Sequence, residues 1–281
     1  MSDLRLDNIL IELTRRYGVN LEAIQSDKSL VQLNVDNYNN STGDLNLKDG
    51  YNCPLCKNKG FIAFVNDNEL EAHTPCKCQK VREVLRRANK SGLGEILSEK
   101  TFDKFIVTEK WQQDVKKLCM DFCKDDTTKW LFFGGQVGSG KSFLCTAICG
   151  HYIKQGRNTL YMSWEDESKK LKALVTDYVA YQSLINEYKN VEVLYIDDLF
   201  KTQQGEAPTK ADINLAFEII NNRLFSPDKI TIISSEKTLN ELLAYDEATM
   251  SRICEKTGNY KINIGKDIKK NYRLKNSGVT I

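Results

Sequence analysis

No apolar run in this 281-residue chain approaches the roughly 20 residues needed to span a bilayer. Met1-Ser2-Asp3-Leu4-Arg5 also lacks the basic-then-apolar order of a secretion signal. A cytoplasmic protein with no membrane partner is expected. An excess of one charge is missing too: 40 Lys and Arg face 38 Asp and Glu, and a net charge of +2 says little about partners. Internal repeats and low-complexity tracts are absent. A disulfide framework is not expected either, because the nine cysteines are odd in number and sit in a cytosolic type of chain. With 41% hydrophobic and 28% charged residues, the chain is of globular type and long enough for one ordinary core plus a smaller module.

Four of the cysteines cluster, as Cys53-Pro54-Leu55-Cys56 and Cys76-Lys77-Cys78. The two-residue spacing of the first pair lets both thiolates turn toward one ion, and Pro54 and Gly60 suit a tight loop. A strand over Phe61–Val65 and a polar turn then bring in the second pair. Four sulfurs make a closed tetrahedral zinc site of the structural kind, with no open position for catalysis. His73 lies near enough to replace one of the second pair. Cys119, Cys123, Cys145, Cys149 and Cys254 are spread out and read as small buried hydrophobes.

The richest stretch is Leu131 to Ser142, an apolar strand running into Gly135-Gln136-Val137-Gly138-Ser139-Gly140-Lys141-Ser142. Gly135, Gly140, Lys141 and Ser142 match the phosphate-binding loop position by position. Glycines let the backbone N–H groups of the loop wrap a phosphate, and the next helix offers its positive end to the same anion. Lys141 would reach the β- and γ-phosphates and Ser142 would ligate Mg²⁺. Downstream, Val191–Ile196 reads as a strand ending in Asp197 and Asp198. Asp197 is assigned to Mg²⁺ and Asp198 to polarising the attacking water.

Organisation follows from the pattern. Residues 1–35 read as short amphipathic helices, 36–50 as a polar linker, 51–80 as the zinc module, and 81–110 as a basic connecting helix and linker. From 111 to 281, strands at 130–133, 159–164, 191–196, 230–234 and 260–264 alternate with helices at 111–124, 142–155, 166–189, 211–225 and 238–255. That rhythm is an α/β fold with a parallel five-stranded sheet covered by helices and ligands at the carboxyl ends of the strands.

The motifs Gly135–Ser142, Ile196-Asp197-Asp198-Leu199, Ile232-Ile233-Ser234-Ser235-Glu236 and Asp246–Ile253 resemble those of AAA+ P-loop ATPases of the bacterial helicase-loader group, the DnaC/DnaI type, and of the related IstB transposition ATPases. The four-cysteine module is similar to the N-terminal zinc domain of DnaI-type loaders, which IstB proteins generally lack. The resemblance implies ATP, Mg²⁺ and Zn²⁺ as cofactors and slow, switch-like ATP hydrolysis. It implies a DnaB-type replicative helicase and single-stranded DNA as partners in replication initiation. By the same resemblance, Ser235 or Glu236 takes the position that orients water, Arg252 is an arginine finger acting on a neighbouring copy, so that the chain self-associates, and Arg273 is a second sensor on the nucleotide. An IstB-like transposition helper is the alternative. Lys169, Lys170 and Lys172 lie in the helical insert that touches single-stranded DNA in loaders. Lys256, Lys261, Lys266, Lys269, Lys270, Arg273 and Lys275, against Asp267 alone, form a second basic stretch.

Overall fold

The computed structural model describes residues 30–90, 97, 99–202 and 206–275. The helices expected in the first 29 residues, and the end of the basic helix near Gly92, lie outside these. The chain forms two compact units that divide between Gln79 and Lys80.

The smaller unit holds α1 (Leu30–Asn40), α2 (Leu45–Asp49) and an antiparallel hairpin of β1 (Phe61–Val65) and β2 (Glu71–Pro75). The stretch read as a linker over 36–50 is thus mostly helical, a correction with a clear physical cause. Asn39 acts as a third hairpin edge: its Nδ2 donates to the Ala63 carbonyl at 2.9 Å and its Oδ1 accepts from the Ala63 N–H at 3.0 Å. One side chain so satisfies both backbone groups that an outer strand position would leave open. Helix α3 (Cys78–Lys90) starts in this unit; from Lys80 on it belongs to the larger one, where Val84 and Ala88 are buried.

The larger unit contains α4 (Lys110–Phe122), β3 (Trp130–Gly135), α5 (Lys141–Lys154), β4 (Thr159–Ser163), α6 (Trp164–Ala173), α7 (Tyr178–Asn190), β5 (Val193–Asp197), α8 (Lys210–Leu224), β6 (Ile230–Ser235), α9 (Leu239–Leu243), α10 (Glu247–Thr257), β7 (Lys261–Ile264), a 3-10 turn (Ile268–Lys270) and α11 (Tyr272–Lys275). The five strands form one parallel sheet in the order β4-β5-β6-β3-β7. Central β3 is buried throughout because both of its faces are covered. Leu131 and Phe133 enter a layer with Val115, Phe122, Leu144 and Ile148, whereas Trp130 and Phe132 enter the opposite layer with Trp164, Ile219, Leu242 and Ile253. Burying each such side chain is worth about 1.5–3 kcal/mol. Among the described residues, no helix is long and apolar enough to cross a membrane.

Two helices expected as single runs are each broken in two. Asp177 caps α7 by accepting from the Ala180 N–H at 3.0 Å, and Asp246 caps α10 by accepting from the Thr249 N–H at 3.1 Å. A short acidic side chain that can take the first free helix N–H starts a new helix more readily than it extends an old one.

Arg223 is fully buried and has no carboxylate partner among the described residues; burial pulls its pKa down to about 9. Its guanidinium donates to the carbonyls of Tyr188 (3.0 Å), Val191 (2.9 Å) and Ile230 (2.7 Å) and to Thr231 Oγ1 (3.0 Å), tying the end of α7 to the entry of β6. Arg223→Met would strand these acceptors, and a loss of more than about 3 kcal/mol is expected in urea unfolding. A loss under about 1 kcal/mol would mean that water replaces the guanidinium there.

Candidate functional site

The carboxyl ends of β3, β5 and β6 meet at a cleft of about 290 Å³. Its floor is the loop between β3 and α5. Gly135 has φ +104°, and a Cβ there would stand 1.9 Å from the Ile264 carbonyl oxygen, so only glycine fits. The loop delivers its N–H groups to the start of α5, where the helix end favours an anion. Lys141 is 5% exposed, and its Nζ donates to the carbonyls of Gly135 (2.9 Å) and Gln136 (2.8 Å). Burial lowers the Lys141 pKa, and the charges of Asp198 and Glu236 oppose that shift.

The two acids at the tip of β5 face different ways. The Asp197 carboxylate accepts from four hydroxyls: Ser142 (3.1 Å), Tyr195 (2.5 Å) and Ser234 (2.5 Å) on Oδ1, and Tyr161 (2.9 Å) on Oδ2. Ser142 and Asp197, brought within hydrogen-bond distance, are the donor set a hard divalent cation uses beside a phosphate loop. Asp198 has φ +56° and Phe200 φ +59°, a left-handed excursion held by the Asp198 N–H on Ser234 Oγ (3.0 Å) and the Leu199 N–H on the Ser234 carbonyl (2.8 Å). The excursion sends the Asp198 side chain to Lys201, 2.8 Å away, while burial raises its pKa.

Other expected residues are placed differently. The Ser235 hydroxyl, 1% exposed, donates to the Leu199 carbonyl at 2.9 Å and so supports the β5 tip; the neighbouring Ser234 is the one that touches Asp197. Glu236 and Arg273 line the cleft. Arg252 is not among the cleft-lining residues; its guanidinium lies 5.1 Å from the Phe217 ring, and its Nη1 is buried with no hydrogen-bond partner among the described residues. The insert lysines are paired with acids: Lys169 with Glu165 (3.0 Å), Lys170 with Glu167 (2.6 Å) and Lys172 with Asp212 (2.7 Å). They form no unopposed basic patch. In the second basic stretch, Lys266 pairs with Glu241 at 2.7 Å, and Lys256 and Lys269 are exposed.

Two parts of the cleft were not read from the sequence. One wall is Lys104, Phe105 and Ile106, with the Phe105 ring edge-on to Phe143 at 5.4 Å. Gln112 organises the turn behind that wall: its Oε1 accepts from the N–H groups of Thr108 (2.7 Å) and Glu109 (3.0 Å) in a capping box. The other part is a strap from the far end of the chain. The Asp267 N–H donates to Gln136 Oε1 (2.8 Å), the Tyr272 N–H donates to the Gly138 carbonyl (2.9 Å), and Asn271 packs so closely on Gly138 that a Cβ there would lie 1.9 Å from its Oδ1.

In the smaller unit, Cys53, Cys56, Cys76 and Cys78 are buried, with their sulfurs all within 4.8 Å of one another. The Sγ–Sγ distances are 3.8 Å for Cys53–Cys76 and 3.5 Å for Cys56–Cys78. A tetrahedron with metal–sulfur bonds of about 2.3 Å has sulfurs about 3.8 Å apart, so this cluster can hold a metal ion. Burial pushes the Cys56 thiol up, but the Gly60 N–H on its sulfur (3.2 Å) and the neighbouring cysteines bring it down to about 7, toward the thiolate that a metal requires. His73 does not join the cluster; it stands edge-on to Tyr38 at 4.5 Å and 3.4 Å from Glu71.

A family model described as the bacterial DnaA ATPase domain matches residues 97–257. The phage-like element PBSX protein XkdC of Bacillus subtilis is 30% identical over 236 residues, covering 80% of this chain and 86% of that protein. The replicative helicase loader DnaC of Buchnera aphidicola is 25% identical over 127 residues, covering 44% of this chain and 50% of that one. Among solved structures, the DnaC helicase loader aligns with a TM-score of 0.51 at 22% identity, covering 61% of this chain and 98% of that one.

Proposed function

The chain belongs to the bacterial DnaA ATPase-domain family, and on that premise we propose that it is an ATP-dependent helicase loader, binding a hexameric DnaB-type replicative helicase and helping to place it on single-stranded DNA. The observation that carries the nucleotide part is the convergence of Lys141, Ser142 and Asp198 on one cleft in this fold, with Asp197 hydrogen-bonded to Ser142 behind it. The phosphate loop and α5 fit a nucleoside triphosphate, Ser142 and Asp197 fit its Mg²⁺, and Asp198 would polarise a water. Bound Mg²⁺ would supply positive charge against the phosphates.

The similarity to a DnaC loader supports the helicase as partner. The cysteine cluster, read as a structural zinc site, supports a separate small domain that carries the docking surface. The partly exposed side chain of Arg252, away from the cleft of its own chain, supports a role toward the nucleotide of a neighbouring copy. Exposed Lys256 and Lys269 support contact with DNA phosphates.

Native mass spectrometry of the full chain mixed with a DnaB-type hexamer tests the proposal. A discrete complex is expected that contains one zinc per chain and is strengthened by ATP and Mg²⁺. Arg252→Ala is expected to weaken its ATP dependence without removing bound nucleotide. No complex in any nucleotide state, with assembly on duplex DNA instead, would reject the loader in favour of a transposition helper.

A further inference from the structure

Lys201 follows the two acids of β5 and has no place in the phosphate-loop chemistry described so far. Its Nζ lies 2.8 Å from Asp198 Oδ2 and 3.1 Å from Glu236 Oε1. The three side chains line the same cleft as Gly138, Gly140, Lys141 and Ser142. Strand order explains how they meet. β6 lies between β3 and β5, so Lys141 rises from the β3 side, Lys201 from the β5 side, and Glu236 follows β6 between them.

The base of Lys201 is fixed. Its N–H donates to the Asp198 carbonyl at 2.9 Å, and the preceding Leu199 and Phe200 are buried. Ser235 pins Leu199 from the next strand at 2.9 Å. The ammonium therefore leaves a rigid turn at a set point.

Electrostatics then gives that point a meaning. Without Lys201, Asp198 and Glu236 would face a polyphosphate as uncompensated negative charges, and like charges at close range in a partly buried site oppose binding. With Lys201 held between them, a second cation faces Lys141 across the acids. A diphosphate on the loop engages Lys141 and the loop N–H groups; only a longer chain of phosphates extends to the acid that polarises water and to the cation beside it.

We infer that Lys201 is a nucleotide-binding residue that recognises the outermost phosphate, so that this cleft distinguishes nucleoside triphosphates from diphosphates from within a single chain. This rests on the ATPase reading above. It differs from the arginine-finger arrangement in that the discriminating cation belongs to the same subunit as the phosphate loop.

Calorimetric titration of the full chain with Mg²⁺ and either ADP or the non-hydrolysable analogue AMPPCP tests it. Lys201→Met is expected to weaken AMPPCP at least about 10-fold while changing ADP less than about twofold. Lys201→Arg is expected to keep most of the preference, because it retains the cation, and the retained ADP affinity doubles as a check of folding. Parallel loss of both nucleotides, or no loss of either, would overturn the inference and leave Lys201 as a neutraliser of two acids. If the unaltered chain binds neither nucleotide, the ATPase reading itself fails. If the unaltered chain binds both and the variant keeps their ratio, only the role of Lys201 fails.

Discussion

Lys141→Ala is expected to reduce affinity for a nucleoside triphosphate with Mg²⁺ by roughly 100-fold or more, about 2.7 kcal/mol, with little change in fold. The reason is preorganisation. The Lys141 ammonium is already immobilised by the carbonyls of Gly135 and Gln136 at 2.9 and 2.8 Å, so contact with phosphate costs little further side-chain entropy. The surrounding charge sharpens the effect, because Asp197, Asp198 and Glu236 all interact with Lys141. Removing the cation leaves those acids facing the phosphates. Calorimetry would measure the affinity, and circular dichroism would establish that α5 is intact. A loss below about threefold would show that the loop N–H groups and the helix end hold the phosphates without the lysine, and would move the weight of binding onto Arg273 and Lys201.

On the structural-zinc reading proposed above, removing the metal from the cysteine cluster is expected to unfold the smaller unit while nucleotide affinity is kept. Among the described residues of that unit, few apolar side chains besides the four cysteines are buried, Val35 and Ala63 being the main ones. Such a core cannot offset the entropy of ordering its backbone, at about 1–2 kcal/mol per residue. A structural zinc ion supplies about 10–16 kcal/mol at neutral pH, enough to decide the balance. A strong chelator, or Cys56→Ser, should therefore abolish hydrogen-exchange protection at Ala63 and Cys76. The cleft should be spared, since none of its lining residues lies before Lys80. Protection that survives complete loss of zinc would mean that the hairpin and α1 hold themselves together.

Much of this was legible in the residues, and the limits are physical. The five parallel strands are apolar runs broken by turns, and the structure places them within a few residues of expectation, as at β3 and β6. β2 could not be read this way: Glu71–Pro75 has no buried residue, so no alternation marks it, and only pairing with β1 makes it a strand. The second half of the helix over Leu30–Asn40, past residue 35, escaped for a related reason, since its polar Asn39 is spent on the backbone of Ala63 across 24 residues. The caps at Asp177 and Asp246 were visible as short acids inside helical runs and could have been found. Motif spacing singled out Lys141, Ser142, Asp197 and Asp198, which the structure brings close together at the cleft. It could not identify Lys201, which gains its meaning from the adjacency of two strand ends, or Ser234, which differs from Ser235 only in the direction its side chain takes from β6.

The strap that crosses the phosphate loop bears on the order in which the protein is made. Gln136 takes its backbone partner from Ile264 and its side-chain partner from Asp267, while Gly138 takes its partner from Tyr272. A ribosome delivers these contacts long after it has delivered the loop. The nascent chain can lay down β3 and α5 early, but the loop gains its full set of hydrogen bonds only once residue 272 has emerged. The geometry that receives phosphate is completed well after the loop itself has been made.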